Sequence, residues 1–329
     1  MANFEDRNNE IPREISSIIK SGSTEADLVK LLGNLLHAYR IIGTTLRNCG
    51  YSSDAVGSTN QFGDEQLDVD VKTDAVLFDA LKTSGVVAGA SSEENPTMVS
   101  CGGNGYCVAF DPLDGSSIVD ANFAVGTIVG VWPGTQLLDR TGREQVMSMV
   151  VMYGPRVTAA LAFNGSVTAD GQSISIELTM HSTGWIVTVP KLCIAPTGKV
   201  FAPGNLRATK DNADYKRLID YWIENQYTLR YSGGLVPDIY HILIKGKGVM
   251  CNASSKSTRA KLRLLFECAP IALIIESAGG ASCVCASEAG ESMQPVSLLD
   301  VPITDMDRRV GVCYGSIEEV ERFKAHLFH

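Results

Sequence analysis

The sequence predicts a layered α/β or α+β protein with mixed sheets. Two observations carry that expectation. Apolar residues recur at helical spacing in long segments, as at Leu28, Leu31, Leu32, Leu35 and Leu36. Between such segments lie short runs rich in β-formers, such as Tyr106-Cys107-Val108-Ala109-Phe110. The length of 329 residues adds a bound: long for one small core, short for two large independent domains.

The elements follow in order. Ser23 to Cys49 reads as a long helix that Ser23 or Thr24 caps, with Ile41 and Ile42 extending its apolar face. Tyr51 to Gln66, rich in Gly, Ser, Asn and Asp, reads as a mobile loop. A helix from Val69 to Leu81 and a short strand at Val86-Val87-Ala88 come next. Tyr106 to Phe110 is a buried strand that runs straight into Asp111. Further strands are expected from Ala124 to Val131 and from Val146 to Ala162, and hairpins from Val167 to Val189. The Pro-rich texture from Pro190 to Pro203 marks a boundary, giving an N-terminal sub-domain 1–195 and a C-terminal sub-domain 196–329. Beyond it the pattern predicts a helix at Asp211 to Glu224, a strand near Thr228 and a helix at Pro237 to Ile244. A strand at Gly248 to Asn252 follows, then a helix at Glu267 to Ala278 closed by Gly279-Gly280, and a last helix at Glu318 to His326.

Composition excludes several classes of function. The net charge is −9 and no Lys/Arg run forms a basic face, so a nucleic-acid partner is not expected. No apolar run is long enough to span a membrane. Nine cysteines lie scattered without a CxxC pair, which reads as reduced thiols; Cys283 and Cys285 would share one face of a strand. The first twenty residues carry Glu5, Asp6, Glu10 and Glu14 and lack signal- or transit-peptide character. The expected location is cytoplasmic, or a plastid if a transit segment lies outside this sequence.

Chemistry concentrates at Asp111-Pro112-Leu113-Asp114-Gly115-Ser116-Ser117. A strand delivers two carboxylates to its carboxyl end, where Pro112 fixes φ and Gly115 permits a tight turn. Asp111 and Asp114 can then aim at one point, with the Leu113 carbonyl between them. The N–H groups of Gly115 and Ser116 can form an anion-binding nest opposite. Such oxygen donors favour Mg²⁺ or Mn²⁺ over zinc. An isolated motif of this kind is also an ordinary turn, so the other acids matter. Glu93-Glu94 follow a short strand, although adjacent acids are commonly solvated surface. Asp64, Asp68, Asp70 and Asp74 form a dense acidic set, which helix-dipole compensation would also explain. Glu267 sits in the apolar run Leu264-Leu265-Phe266-Glu267-Cys268-Ala269 and calls for a partner. Two or more ions held by such acids suit in-line phosphoryl displacement. Lys261 and Arg263, two apart, would share a face if they stand on a strand, or else form a solvated basic edge. With five histidines and no HExxH, no P-loop and no G-x-S-x-G elbow, other hydrolase chemistries lack their motifs.

Four motifs in order, Gly63-Asp64-Glu65-Gln66, Ser92-Glu93-Glu94, Phe110 to Ser117 and Lys261 to Glu267, together resemble the fructose-1,6-bisphosphatase superfamily over nearly the whole chain. Ser117 to Phe123, Phe201 to Thr209 and Tyr227 to Gly234 resemble its sedoheptulose-1,7-bisphosphatase branch. The resemblance implies an α-β-α-β-α five-layer sandwich and a Mg²⁺-dependent phosphatase, Mn²⁺ being a substitute. Glu93, Asp111, Leu113, Asp114 and Glu267 would hold the metal, Asp70 and Glu94 would orient or deprotonate the attacking water, and Asp64 would complete the catalytic site when its loop closes. Gly115 and Ser116 would hold the phosphate being cleaved. Asn205, Tyr231 and Arg230 would bind a distal phosphate, Arg230 from a neighbouring subunit of a homodimer or tetramer. Lys261 would reach the sugar and Arg263 the cleaved end. Cys251 and Ala208 stand where fructose bisphosphatases usually carry tyrosines, which favours a seven-carbon sugar bisphosphate. A fructose 1,6-bisphosphatase, a dual enzyme and a non-catalytic sugar-phosphate-binding protein are the alternatives.

Overall fold

The computed structural model describes residues 11–48, 55–59, 65–287 and 295–328. In chain order the elements begin with helices α1 (Arg13–Ile18) and α2 (Ser23–Asn48). A two-stranded ribbon, β1 (Ala55–Thr59) and β2 (Glu65–Leu67), precedes α3 (Asp68–Ser84). Then come β3 (Val87–Ser92), β4 (Val99–Ser100), β5 (Tyr106–Asp114), β6 (Val125–Pro133), β7 (Arg140–Thr141), β8 (Met147–Tyr153), β9 (Val157–Phe163), β10 (Ile174–His181) and β11 (Gly184–Val189). The remainder is β12 (Val200–Gly204), α4 (Ala213–Glu224), β13 (Thr228–Leu229), α5 (Leu235–Lys245), β14 (Val249–Asn252), α6 (Ala269–Ser277), β15 (Ala281–Ser287), β16 (Pro302–Ile303), β17 (Val310–Gly315) and α7 (Ile317–Leu327).

Two sheets organise the molecule. The larger has eight strands in the order β11-β10-β9-β8-β6-β5-β3-β4, all antiparallel except the β3–β5 pair. The smaller runs β13-β12-β14-β17-β15, with β13, β12 and β14 mutually parallel. Period-two alternation explains the layering, because each sheet buries both faces. Val108 and Phe110 of β5 pack with Leu31 and Leu35 of α2 and Leu77 of α3. Their neighbours Cys107 and Ala109 face the opposite way, into a core with Ile239 of α5, Ile271 of α6 and Met250 and Tyr314 of the small sheet. The far face of that sheet, with Cys251, Cys283 and Cys313, closes against Leu218 and Trp222 of α4 and Phe323 of α7. The result is five layers, α-β-α-β-α, as the resemblance implied.

Several expectations change. The segment expected as a loop from Tyr51 to Gln66 contains β1 and the start of β2 where it is described. The hairpin expected from Val167 begins at β10, because residues 164–173 form a turn that Thr168 ties to Ile19 by an isolated bridge. The helix expected from Glu267 is preceded by a π-helical turn, Leu264–Cys268. Strands β12, β15 and β17 and helix α1 were not foreseen. Lys261 and Arg263 do not lie on a strand: Arg263 makes one bridge, to Arg309, and the chain turns at once into the π-helical turn. Lys261 is exposed and Arg263 is buried. Among the described residues no helix is long and apolar enough to cross a membrane.

Candidate active site

The site begins at the carboxyl ends of the parallel pair β3–β5. Ser92 pairs in register with Phe110, and the Glu93 N–H donates to the Phe110 carbonyl at 3.0 Å. That register sets Glu93 beside Asp111, two acids 18 positions apart in sequence. Asp111 is 5% exposed, and its Oδ1 accepts the Leu113 N–H at 3.0 Å, which tightens the Asp-Pro-Leu turn. The Pro112 carbonyl accepts from the Thr127 hydroxyl on β6 at 2.8 Å. The motif is thereby fixed from both sides of its strand.

Glu267 arrives from the π-helical turn. The wider turn lets both the Glu267 and Cys268 N–H groups donate to the Arg263 carbonyl, at 3.2 and 3.0 Å. It aims the Glu267 carboxylate back to accept the Arg263 N–H at 2.5 Å. One carboxylate oxygen from each of Glu93, Asp111 and Glu267 lies within 4.8 Å of the others. Burial, then the charge of Glu93, pushes the Asp111 carboxyl well above the carboxylate range. Burial and Glu93 do the same to Glu267. The Arg263 guanidinium answers part of this charge by pairing with Glu93, and with Asp307 at 2.9 Å. Acids so close, in a buried setting and with oxygen donors only, fit a hard divalent cation.

Asp114 is placed differently. Both its oxygens face the first turn of α5: Oδ2 accepts the Val236 N–H at 2.7 Å and Oδ1 the Leu235 N–H at 3.3 Å. Burial raises its carboxyl to about 7, and the two N–H donors oppose the rise. It stands within electrostatic reach of Asp111 and Glu267 but outside the tight triad. Leu113 is buried between the two aspartates. Gly115 adopts φ +84°, the left-handed region, and starts the turn Ser116–Ile118. Glu94 is half-buried beside Glu93. Asp70 is 3% exposed on the first turn of α3. Asp74, one turn further along, lies near Ser92, the residue before Glu93, and burial lifts it to about 6 while Ser92 opposes the rise. Helix-dipole compensation does not account for Asp74. Asp64 lies outside the described residues.

The model "Fructose-1-6-bisphosphatase, N-terminal domain" matches residues 14–173 and "Fructose-1-6-bisphosphatase, C-terminal domain" matches 194–328. The chain belongs to the fructose-1,6-bisphosphatase family. A chloroplastic sedoheptulose-1,7-bisphosphatase of Chlamydomonas reinhardtii is 46% identical over 95% of this chain and 77% of its own. A class 1 fructose-1,6-bisphosphatase of Citrifermentans bemidjiense is 38% identical over 90% of this chain and 86% of its own. Among solved structures, a candidate sedoheptulose-1,7 bisphosphatase of Toxoplasma gondii is 40% identical, with a TM-score of 0.81 over 91% of this chain and 94% of that one.

The other family-derived positions gather at the carboxyl ends of the parallel strands β13, β12 and β14. Asn205 follows β12 in the left-handed region, and its Nδ2 donates to the carbonyls of Ala253 and Thr258 at 2.7 and 3.2 Å. Arg230 follows β13, exposed, with its N–H on the Phe201 carbonyl. Tyr231 is half-exposed. Residues 231–234 then lead into α5, the helix that caps Asp114, and Gly234 lies beside Gly115. Asp238 holds this loop by accepting the Ser232 N–H at 2.7 Å. Asp307, Asp238 and the α5 N–H donors escaped sequence reading. Each acts across a long separation or through the backbone, so no local pattern marks them.

Proposed function

We propose that the chain hydrolyses the 1-phosphate of sedoheptulose 1,7-bisphosphate, releasing sedoheptulose 7-phosphate and phosphate. As a member of the fructose-1,6-bisphosphatase family it is a phosphoric monoester hydrolase, a sugar bisphosphatase. One observation carries the reading. A cluster of buried carboxylates stands one short loop, 231–234, from exposed cations at the ends of β12, β13 and β14. A substrate with a phosphate at each end matches that polarity, the acids taking their phosphate together with a cation.

The donor set suits Mg²⁺, or Mn²⁺, held by Glu93, Asp111 and Glu267 with Asp114 and the Leu113 carbonyl; such an ion supplies charge stabilisation to the phosphoryl oxygens. Asp70 and Glu94 orient the attacking water and accept its proton, and Asp64 completes the site. The Gly115 and Ser116 N–H groups hold phosphate oxygens. The water oxygen bonds to phosphorus as the sugar O–P bond breaks, and the leaving sugar oxygen gains a proton. Asn205, Tyr231 and Lys261 hold the distal phosphate and the sugar. Arg230, exposed with Leu229 and Tyr231, serves the neighbouring protomer of a homodimer or tetramer. The division of the chain at residue 195 separates the strands of the large sheet from those of the small one. The cysteines among the described residues, eight of the chain's nine, are free thiols and suit a reducing compartment, the cytoplasm or a plastid.

Identity of 46% to a sedoheptulose bisphosphatase, against 38% to a fructose bisphosphatase, supports the seven-carbon sugar. Fructose 1,6-bisphosphate is the competing substrate. At equal Mg²⁺, kcat/KM is expected to be higher for the seven-carbon sugar; a higher value for fructose 1,6-bisphosphate reverses the assignment.

A further inference from the structure

We infer that Arg207 binds the distal phosphate of the substrate and helps to select sugar length. The inference rests on the sugar-bisphosphatase reading above. Strand β12 delivers the chain into Asn205, whose two hydrogen bonds to Ala253 and Thr258 anchor the turn that follows, Leu206–Lys210. Ala208 is fully buried in that turn, so its neighbours Leu206 and Arg207 face solvent. Arg207 has no ion-pair or hydrogen-bond partner among the described residues. Its charge is nevertheless felt at the Tyr231 hydroxyl, where it opposes the upward push of burial and Asp238. The turn that carries Arg207 follows β12 and Tyr231 follows β13, its parallel neighbour, so both stand at the same end of paired strands.

The surroundings explain why an arginine would wait there without a partner. Arg207, Lys210, Arg230, Lys256 and Lys261 are all exposed around the carboxyl ends of β12, β13 and β14. In a chain of net charge −9 these five cations follow the ends of three adjacent strands, with the exposed Asp211 carboxylate, held on Ser257, among them. Their mutual repulsion is relieved when a dianion enters, and ligands of parallel strands seat at this edge. Arginine's planar fork takes phosphate bidentately where lysine offers a point charge. Arg207 stands on the solvent-facing side of the turn, outside buried Ala208, where the distal phosphate of a longer sugar would meet it.

The test compares the full chain with Arg207→Ala, Arg207→Lys and the control Lys216→Ala, an exposed α4 lysine paired with Asp220, assayed by phosphate release with Mg²⁺. A lost charge-assisted contact amounts to about tenfold or more in binding. Arg207→Ala is expected to raise KM for sedoheptulose 1,7-bisphosphate about tenfold, with the loss falling on KM rather than kcat. The preference over fructose 1,6-bisphosphate should shrink alongside it. Arg207→Lys should recover part of the loss, and Lys216→Ala should behave as the parent. An Arg207→Ala KM within twofold of the parent overturns the inference and leaves the bisphosphatase reading intact. A parent chain that releases phosphate from neither sugar overturns both.

Discussion

Asp114 shows how one residue can serve two structures at once. Its carboxylate ends the loaded motif, yet both oxygens lean on the first turn of α5. With burial raising the group to about 7 in the absence of a cation, the ionised form that a cation needs predominates only above neutrality. Activity is therefore expected to rise with pH through about 7 as the acids of the site shed protons, which a pH profile of kcat/KM from 6 to 9 checks. Asp114→Ala is expected to lower kcat at least about a hundredfold, the size of a lost electrostatic contact in a site. Stability should fall by only about 1 kcal/mol, because two helix N–H donors lose an acceptor while a buried charge disappears. Near-parental turnover in Asp114→Ala would remove the residue from the site. At this scale much was legible. Glu93, Asp111 and Glu267 were marked by motif order and by one acid in an apolar run, and they meet. Arg263 was misread in its setting, because its partners Glu93 and Asp307 lie 170 and 44 positions away.

At the scale of elements, the site depends on how tightly α5 sits on β6. A methyl group added at Gly126 would come within 2.3 Å of Val236 Cγ1 and 2.7 Å of the Val151 carbonyl. Val236 supplies the shorter hydrogen bond to Asp114. Gly126→Ala is thus expected to displace α5, to destabilise the protein by about 1–3 kcal/mol and to depress kcat. Thermal unfolding and steady-state rates check both; parental values for both would show that this contact does not set the site. The long helices α2 and α3 were legible because apolar residues recur at helical spacing along α2, although it is buried nearly all round from Leu31 to Leu36, and α3 buries one stripe through Val69, Thr73, Leu77 and Leu81. Strands β15 and β17 were not. Covered on both faces, they read as runs of small and apolar residues, Ala281 to Ser287 and Val310 to Gly315, without alternation. The π-helical turn escaped because Leu264 to Ile275 is apolar on every side save Glu267, so periodicity has no phase there to lose.

For the whole molecule, the layered fold gathers acids that repel one another. Asp111, Asp114 and Glu267 hold protons in the folded chain at pH values where the unfolded chain has lost them. Between about pH 4 and 7 the folded state thus binds more protons, and stability without a cation falls as pH rises. A divalent ion at the cluster replaces those protons, and its benefit grows over the same range. At a concentration one hundred times Kd it contributes about 2.7 kcal/mol. The five-layer order was legible only through the family resemblance; the alternation of Val108 with Cys107, or of Met250 with Cys251, is its physical basis. The most direct measurement is thermal unfolding of the chelator-treated protein from pH 5.5 to 8, with and without Mg²⁺. The shared-cation site predicts a Tm that falls with pH in chelator and a Mg²⁺-dependent rise that is largest at pH 8. A Tm indifferent to Mg²⁺ at every pH would contradict it.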